Sequence, residues 1–416
     1  MVYVVSAIRE AGHEVEIYHQ DIYHYPEELL TEYLTKNMFD AVDVGGCGRY
    51  YQYRKIKAIA NAINKVPNKL FFWMGGHLPS PELEYFLRKF KADIIMIGES
   101  DETVKEVLKV LETSRDWSRV KGIAFIDSGG GYVLNERRPL ISDIDSIPSL
   151  AYDLFNMEHY VLYPQTNSDR HDRCAEILSG RGCPFHCNFC YRMDSGFRPR
   201  STEKIIEEIE MLKQKYRVIY ISFIDELLMS SIKRTTEFCN KIIEKKVDVK
   251  WGCSGRLNYA SKDKEMLKLM NKAGCVFINY GIESMDDEAL KRMNKNLTTE
   301  MIVKGVENTL DAGISPGLNI IFGNLSETRK SIKNDVEFLL KYDDHALLRT
   351  IRPVTPYPGT DLYKYAIEHG MIKDIEDFYE HKHVDSDLLT CNFTELTDDE
   401  YYDLCIGQII FYWKII

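Results

Sequence analysis

Two runs of alternating strand and helix signals, separated by a glycine-rich hairpin and a proline connector, predict an α/β protein built on two sheets. The first run, over residues 1–115, predicts a Rossmann-like doubly wound domain whose first strand is missing. The second, over residues 171–375, predicts a partial (β/α)6 TIM-type barrel. The chain has 416 residues, more than one ordinary core accommodates, and segments 116–170 and 376–416 complete the division as a hairpin with linker and a C-terminal helical and apolar tail.

In the first run, strands are expected at 14–18, 40–44, 69–74 and 93–97, with helices at 53–64, 81–90 and 101–111. Asp101 and Glu102 fall in the first turn of the last helix, where the macrodipole favours acids. The turns Val44-Gly-Gly-Cys-Gly48, Met74-Gly-Gly-His-Leu-Pro79 and Ile97-Gly-Glu-Ser100 all follow strands. Open α/β sheets bind ligands at such carboxyl ends, and glycine lets a large ligand approach the backbone. A plain tight turn accounts for any one of them equally well; three on one edge favour a site.

The chain opens on a helical pattern at 2–11, followed by Gly12-His-Glu-Val-Glu-Ile17. This reads as the first helix and second strand of a doubly wound domain. In flavodoxin-type order the absent first strand would lie between the second and third, so its loss is expected to split the sheet. Two alternatives follow: an N-terminal fragment, or an atypical strand order. Residues 121–140 then read as a hairpin around Asp127-Ser-Gly-Gly-Gly131, and Pro148 begins the connector.

In the second run, strands are expected at 175–179, 218–224, 249–254, 276–282, 317–322 and 346–353, with helices such as 202–216 and 261–273. Gly274 and Gly313 stand at helix C-cap positions. Barrel chemistry gathers at the carboxyl ends of the strands, where this chain places Asp225, Glu226, Arg256, Glu283, Ser284, Asn324 and Glu327. Each also has a plain reading as a helix cap, a structural ion pair or a solvated turn residue. The tail from 377 is acidic, then apolar over 409–416, too short to span a bilayer and expected to be buried or to continue into a further domain.

The formal charge of −11 speaks against nucleic acid as the main partner, because phosphate binding needs a basic footprint. No apolar run reaches membrane-spanning length, and no signal-peptide pattern opens the chain, so no membrane partner and a cytoplasmic location are expected. Ten cysteines without a secretory context suit metal chemistry in a reducing compartment.

Three of those cysteines, Cys183, Cys187 and Cys190, share one tight loop after Ser179-Gly-Arg-Gly182, at the end of an expected strand. Thiolates at this density suit zinc or an iron–sulfur cluster. A closed Cys3His zinc site would recruit His186 by a sharp fold-back, whereas a four-iron cluster held by three cysteines leaves one iron open. The other seven, Cys47, Cys174, Cys239, Cys253, Cys275, Cys391 and Cys405, show no ligand-like spacing and read as packing residues.

The Cys183-x3-Cys187-x2-Cys190 loop, with Phe189 before its last cysteine, resembles the radical S-adenosylmethionine (SAM) superfamily. The resemblance implies a [4Fe-4S] cluster on the three cysteines, whose open iron takes the amino and carboxylate groups of SAM. One electron then splits SAM to methionine and a 5′-deoxyadenosyl radical. Gly281-Ile-Glu-Ser284 is similar to the superfamily's ribose-contacting motif, Gly317-x5-Gly323 to its fifth-strand motif, and Thr355-Pro-Tyr-Pro-Gly-Thr360 to its sixth-strand motif. Gly323-Asn-Leu-Ser-Glu-Thr328 departs from the usual Gly-x-Pro-Gly-Glu-Thr but keeps Glu327 and Thr328. The implied SAM contacts are Phe189, Asp225, Arg256, Glu283, Ser284, Gly317 and Gly323.

Met74-Gly-Gly-His77 and Ile97-Gly-Glu-Ser-Asp-Glu-Thr103 resemble the N-terminal cobalamin-binding domain of B12-dependent radical SAM enzymes, which include the anaerobic Mg-protoporphyrin ester cyclase and phosphorus-methylating enzymes. Segments 145–148 and 151–153 resemble that family's interdomain linker. The implied cobalamin contacts are Gly45, Gly75, Gly76, His77, Gly98, Glu99 and Ser100. No Asp-x-His-x-x-Gly cobalt ligand is present, and His13, His19 and His24 read as surface residues. The resemblance implies a methyltransferase acting on an unactivated carbon or phosphorus centre of a small-molecule or peptide substrate, with a flavodoxin- or ferredoxin-type one-electron reductant. Its enzymatic alternative is a radical rearrangement, cyclisation or oxidation without methyl transfer. The alternative outside enzymes is a zinc-stabilised binding module.

Overall fold

The structure is a computed structural model that describes residues 2–46, 50–148, 150–325, 327–342 and 351–404. Backbone contacts divide it into two units. One holds the residues up to Phe155 with Tyr191–Asp194 and Pro356–Ser386; the other holds Asn156–Cys190, Ser195–Thr355 and the residues from Asp387.

The first unit begins with helix α1 (Val2–Glu10), whose Val5, Ala7 and Ile8 are buried. Helices α2 (Gln20–Tyr23) and α3 (Glu27–Asn37) follow, then strand β1 (Ala41–Gly45), α4 (Tyr50–Ile63), β2 (Phe71–Gly75), α5 (Leu83–Phe90), β3 (Ile94–Met96), α6 (Asp101–Glu112), β4 (Ile123–Ile126) and β5 (Tyr132–Leu134). The sheet runs β1-β2-β3-β4-β5, parallel over its first three strands and antiparallel over the hairpin. Its apolar strands pack against α1 and α6 around Trp73, Ile94, Met96, Val104, Val107 and Ile123. The connector is pinned to α1: Ala151 N–H donates to Ser6 Oγ at 2.8 Å, and Arg9 meets Asp153 at 2.7 Å.

Residues 14–18, expected as a strand, form none. In flavodoxin-type order that strand pairs with the first strand alone, and no strand precedes β1 among the described residues. It therefore has no ladder partner. The same topology corrects the expected split, because β1 pairs directly with β2 from Ala41↔Phe71 to Gly45↔Gly75. The sheet is shortened at its edge and stays continuous.

The second unit opens with α7 (Met157–Tyr160) and β6 (Cys174–Ile177), and the short antiparallel pair β7 (Gly180–Arg181) and β8 (Arg198–Pro199) frames the cysteine loop. Then come α8 (Thr202–Tyr216), β9 (Tyr220–Phe223), α9 (Ile232–Glu244), β10 (Lys250–Gly255), α10 (Leu257–Ala260), α11 (Lys264–Lys272), β11 (Cys275–Glu283), α12 (Asp287–Arg292), α13 (Thr299–Asp311), β12 (Ser315–Phe322), α14 (Arg329–Lys341) and β13 (Ile351–Pro353). All six barrel strands are parallel, in the order β6-β9-β10-β11-β12-β13. This is the predicted partial (β/α)6 barrel.

Side-chain caps set the helix starts. Ser201, Ser231, Asp263, Asp286, Thr298 and Thr328 each accept a backbone N–H three residues on. The Asp263 cap explains why the helix expected from 261 starts at Lys264. Gly274, at φ 95°, ends its helix where a Cβ would fall 2.2 Å from Val249 O, so no side chain fits. Of the strand expected at 346–353, residues 346–350 lie outside the described residues, as do Cys47, Gly48, Cys405 and the apolar 409–416. No described helix is long and apolar enough to cross a membrane.

Candidate active site

Ser179, fully buried just beyond β6, carries the base of the cysteine loop. Its N–H and Oγ both donate to Asp225, at 2.6 and 2.8 Å, while its carbonyl accepts from Arg234 Nη2 at 2.7 Å and Arg200 N–H at 2.9 Å. Burial pushes the Asp225 carboxyl up against those bonds and pushes Arg234 down. Both oxygens of Asp225, expected among the SAM contacts, are thus engaged by Ser179. Glu226 is exposed beside it.

The glycines around Arg181 let the loop close. A Cβ on Gly180 would fall 2.6 Å from the Phe197 ring, and one on Gly182, at φ 88°, 2.4 Å from Gly196 O. Cys183 then bridges to Ser195, and the Cys190 N–H donates to Cys187 O at 3.2 Å. Backbone bonds fasten the loop's crown to the end of α12: Asn188 N–H donates to Met293 O at 3.1 Å, and Asn294 Nδ2 to His186 O at 2.7 Å.

Arg256, at the end of β10, lies over the Phe185 ring with 3.5 Å between guanidinium and centroid. Its Nη2 donates to Lys295 O at 2.5 Å, and the Cys187 thiol is within hydrogen-bonding reach. Burial lowers its pKa, and the Cys187 and Cys183 thiols raise it. Arg256 is thus a buried cation set beside two of the three cysteines. Among the described residues, no three His, Cys, Asp or Glu side chains converge as on a single metal ion. Tetrahedral zinc draws its ligands to one ion, whereas cluster cysteines each bind a separate iron; His186 is exposed. The donor set fits a cluster.

Beside Arg256, Lys295 Nζ meets Glu283 Oε1 at 2.7 Å and lies 5.9 Å from the Phe189 ring centroid. Glu283 ends β11 at φ 70°, next to a break in its register with β12. Ser284, fully buried, donates to Asp335 at 3.3 Å. Gly323, at φ 85°, ends β12, and its N–H donates to Glu327. Gly317 is placed differently. It is third in β12, about 20 Å of strand from Gly323, and a Cβ there would strike Asn279 Oδ1 at 2.5 Å and the Phe277 ring at 2.8 Å. Close packing between strands, not the barrel mouth, requires that glycine.

In the first unit, Gly45, Gly75, Gly76, His77, Gly98, Glu99 and Ser100 share the carboxyl edge of β1 to β3. The first two turns are stitched together, Gly46 N–H to Gly75 O at 3.0 Å and Leu78 N–H to Gly46 O at 3.1 Å. A Cβ on Gly76, at φ 95°, would fall 2.4 Å from Gly46 O. Glu99 Oε2 accepts the Ile141 N–H at 2.8 Å. Tyr191–Asp194, not singled out from sequence, lies along this edge: Tyr191 against His77, Met193 beneath Ser80 Oγ, and Asp194 on Arg137 Nη2 at 2.9 Å. Lys295 and Asp335 also escaped sequence reasoning. Lys295 sits in a run that reads as a solvated charge cluster, whereas Asp335 interrupts the apolar stripe of α14, a legible signal.

Residues 177–339 match the family model of the radical SAM superfamily. With the half-barrel and the cysteine loop, this gives residues 177–339 the features of a radical SAM domain. Its relatives include an uncharacterised methyltransferase of Pyrococcus horikoshii, 28% identical over 89% of this chain and 79% of the relative. The anaerobic magnesium-protoporphyrin IX monomethyl ester cyclase of Cereibacter sphaeroides is 29% identical over 73% of this chain, which spans about half (49%) of the cyclase. In fold, the chain is similar to the radical SAM methyltransferase TsrM of Kitasatospora setae, solved with cobalamin and a [4Fe-4S] cluster, at TM-score 0.77 and 16% identity over 100% of this chain and 85% of that one.

Proposed function

We propose that this protein is a cobalamin-dependent radical SAM methyltransferase acting on an unactivated carbon or phosphorus centre of a small molecule or peptide. The observation that carries the proposal is the Cys183, Cys187 and Cys190 loop, with buried Arg256 against its thiols, at the carboxyl end of a six-stranded half-barrel. When bound, the cluster and cobalamin supply one-electron cleavage of SAM and a methyl carrier. The chain's residues do the holding. The three cysteines take the cluster, and Arg256 sets a positive charge beside Cys183 and Cys187. Glu283, steadied by Lys295, and Ser284 meet the ribose, and the Gly323 backbone lines the same mouth. The edge formed by Gly45, Gly75, Gly76, His77, Gly98, Glu99 and Ser100 receives the corrin. Ten cysteines and a one-electron chemistry suit a reducing cytoplasm and a flavodoxin- or ferredoxin-type donor.

A second reading is favoured by the cyclases among the relatives: radical ring closure or oxidation without methyl transfer. Anaerobic reconstitution with iron, sulfide and hydroxocobalamin, followed by analysis of SAM products, separates the two. Methyl transfer yields S-adenosylhomocysteine together with 5′-deoxyadenosine. Formation of 5′-deoxyadenosine alone with substrate present would establish the second reading.

A further inference from the structure

Helix α14 carries an acid where its apolar stripe calls for a hydrophobe. Ile332, Val336 and Leu339 are buried, and Asp335 lies among them with no exposure at all. No described lysine or arginine acts on it. Buried carboxyls without a cation are rare enough that each needs an explanation.

Its oxygens divide the labour. Oδ1 accepts the backbone N–H of Met285 and, at 3.3 Å, the hydroxyl of Ser284, whereas Oδ2 has no hydrogen-bond partner among the described residues. The turn so gripped begins at Glu283, a non-glycine residue at φ 70° beside the register break between Gly281 and Glu283. A left-handed glutamate persists only where its surroundings over-determine it. Glu327 is a second buried acid, on which Asp335 acts electrostatically. Glu327 Oε2 accepts the N–H groups of Gly323 and, at 2.8 Å, Asn324, while Oε1 has no hydrogen-bond partner among the described residues. Burial pushes both carboxyls up, Asp335 to about 8, and Asp335 pushes Glu327 further, so the pair retains a proton near neutrality.

We infer that Asp335 is a positioning residue for SAM: from α14 it pins the Glu283–Ser284–Met285 turn. The inference rests on the reading that this turn binds SAM. Asp335 touches neither SAM nor the cysteines; it acts through the backbone that carries Glu283.

The test is equilibrium binding of SAM to the anaerobically reconstituted full chain, wild type against Asp335→Asn and Asp335→Leu, with iron content and thermal midpoint measured alongside. Asparagine keeps an acceptor for the Met285 N–H, so its Kd should stay close to wild type. Leucine joins the apolar stripe but cannot accept, so its Kd should rise at least about tenfold with iron content and thermal midpoint maintained. A leucine variant that binds SAM like wild type would overturn the inference. So would an asparagine variant weakened as much as leucine, and the asparagine result decides if leucine does not fold. A wild-type protein that holds its cluster but binds no SAM would overturn the underlying reading instead.

Discussion

Lys295 Nζ and Glu283 Oε1 meet at 2.7 Å with each side chain only 9% exposed, which makes this the buried ion pair at the mouth of the half-barrel. Glu283 holds a left-handed backbone, and Lys295 in turn lends its carbonyl to Arg256, so the pair connects the end of β11 to the guanidinium beside the thiols. Removing one partner strands a charge in a poorly solvated site. Lys295→Ala should lower the stability of the second unit by about 3–5 kcal/mol in urea unfolding. A loss under about 1 kcal/mol, as for a surface pair, would contradict it.

Arg256 combines charge with a flat stacking face over Phe185, and lysine supplies only the first. Arg256→Lys is expected to retain most iron but reduce SAM cleavage about 10–100-fold, as is common when a metal's supporting shell is disturbed. Iron content and 5′-deoxyadenosine formation on the same sample check this. Unchanged cleavage would mean that charge alone suffices.

Adjacent glycines on the first sheet should behave oppositely. Gly76→Ala places a Cβ 2.4 Å from Gly46 O on a residue at φ 95°, and should destabilise the first unit by more than about 1 kcal/mol whether or not cobalamin is present. A Cβ on Gly75 would have its nearest neighbour at 3.8 Å, an ordinary contact. Gly75→Ala should therefore fold like wild type, and weaker cobalamin uptake by that variant in equilibrium dialysis would report on the cofactor edge itself. Similar unfolding curves for the two variants would refute the distinction.

The Asp335 and Glu327 pair also makes a pH prediction. Both carboxyls are raised, by burial first, and Asp286 acts on each in the same direction. Folded chains therefore bind more protons than unfolded ones between about pH 4, where free carboxyls titrate, and about pH 8. Stability contributed by the pair is full at the acid end and falls as pH rises through that window, by up to about 1.4 kcal/mol per pH unit for one proton. Urea midpoints from about pH 5 to 8 should fall more steeply for wild type than for Asp335→Asn. Parallel slopes would contradict the raised Asp335 carboxyl.

Periodicity and glycine punctuation made the barrel legible almost strand by strand, because each βα unit repeats its own signals; helix Thr202–Tyr216 is found at its expected bounds. The cysteine loop was legible from spacing alone. Residues 14–18 misled because alternation reports the capacity to form a strand, whereas a strand also needs a neighbour, and theirs is absent from the described sheet. Gly317 and Gly76 show the limit of the glycine signal, which marks close backbone approach without saying whether a ligand or the chain itself approaches. Asp225 stood at the expected strand end, yet its bonds to Ser179, 46 residues earlier, are tertiary and left no local trace.

The most direct test of the account is the electron paramagnetic resonance spectrum of the anaerobically reconstituted, reduced protein with and without SAM. One [4Fe-4S] signal is expected, its g values shifted by SAM, with both features lost in the Cys183→Ala, Cys187→Ala, Cys190→Ala triple variant. A signal that survives the triple substitution, or that SAM leaves unmoved in the wild type, would contradict it.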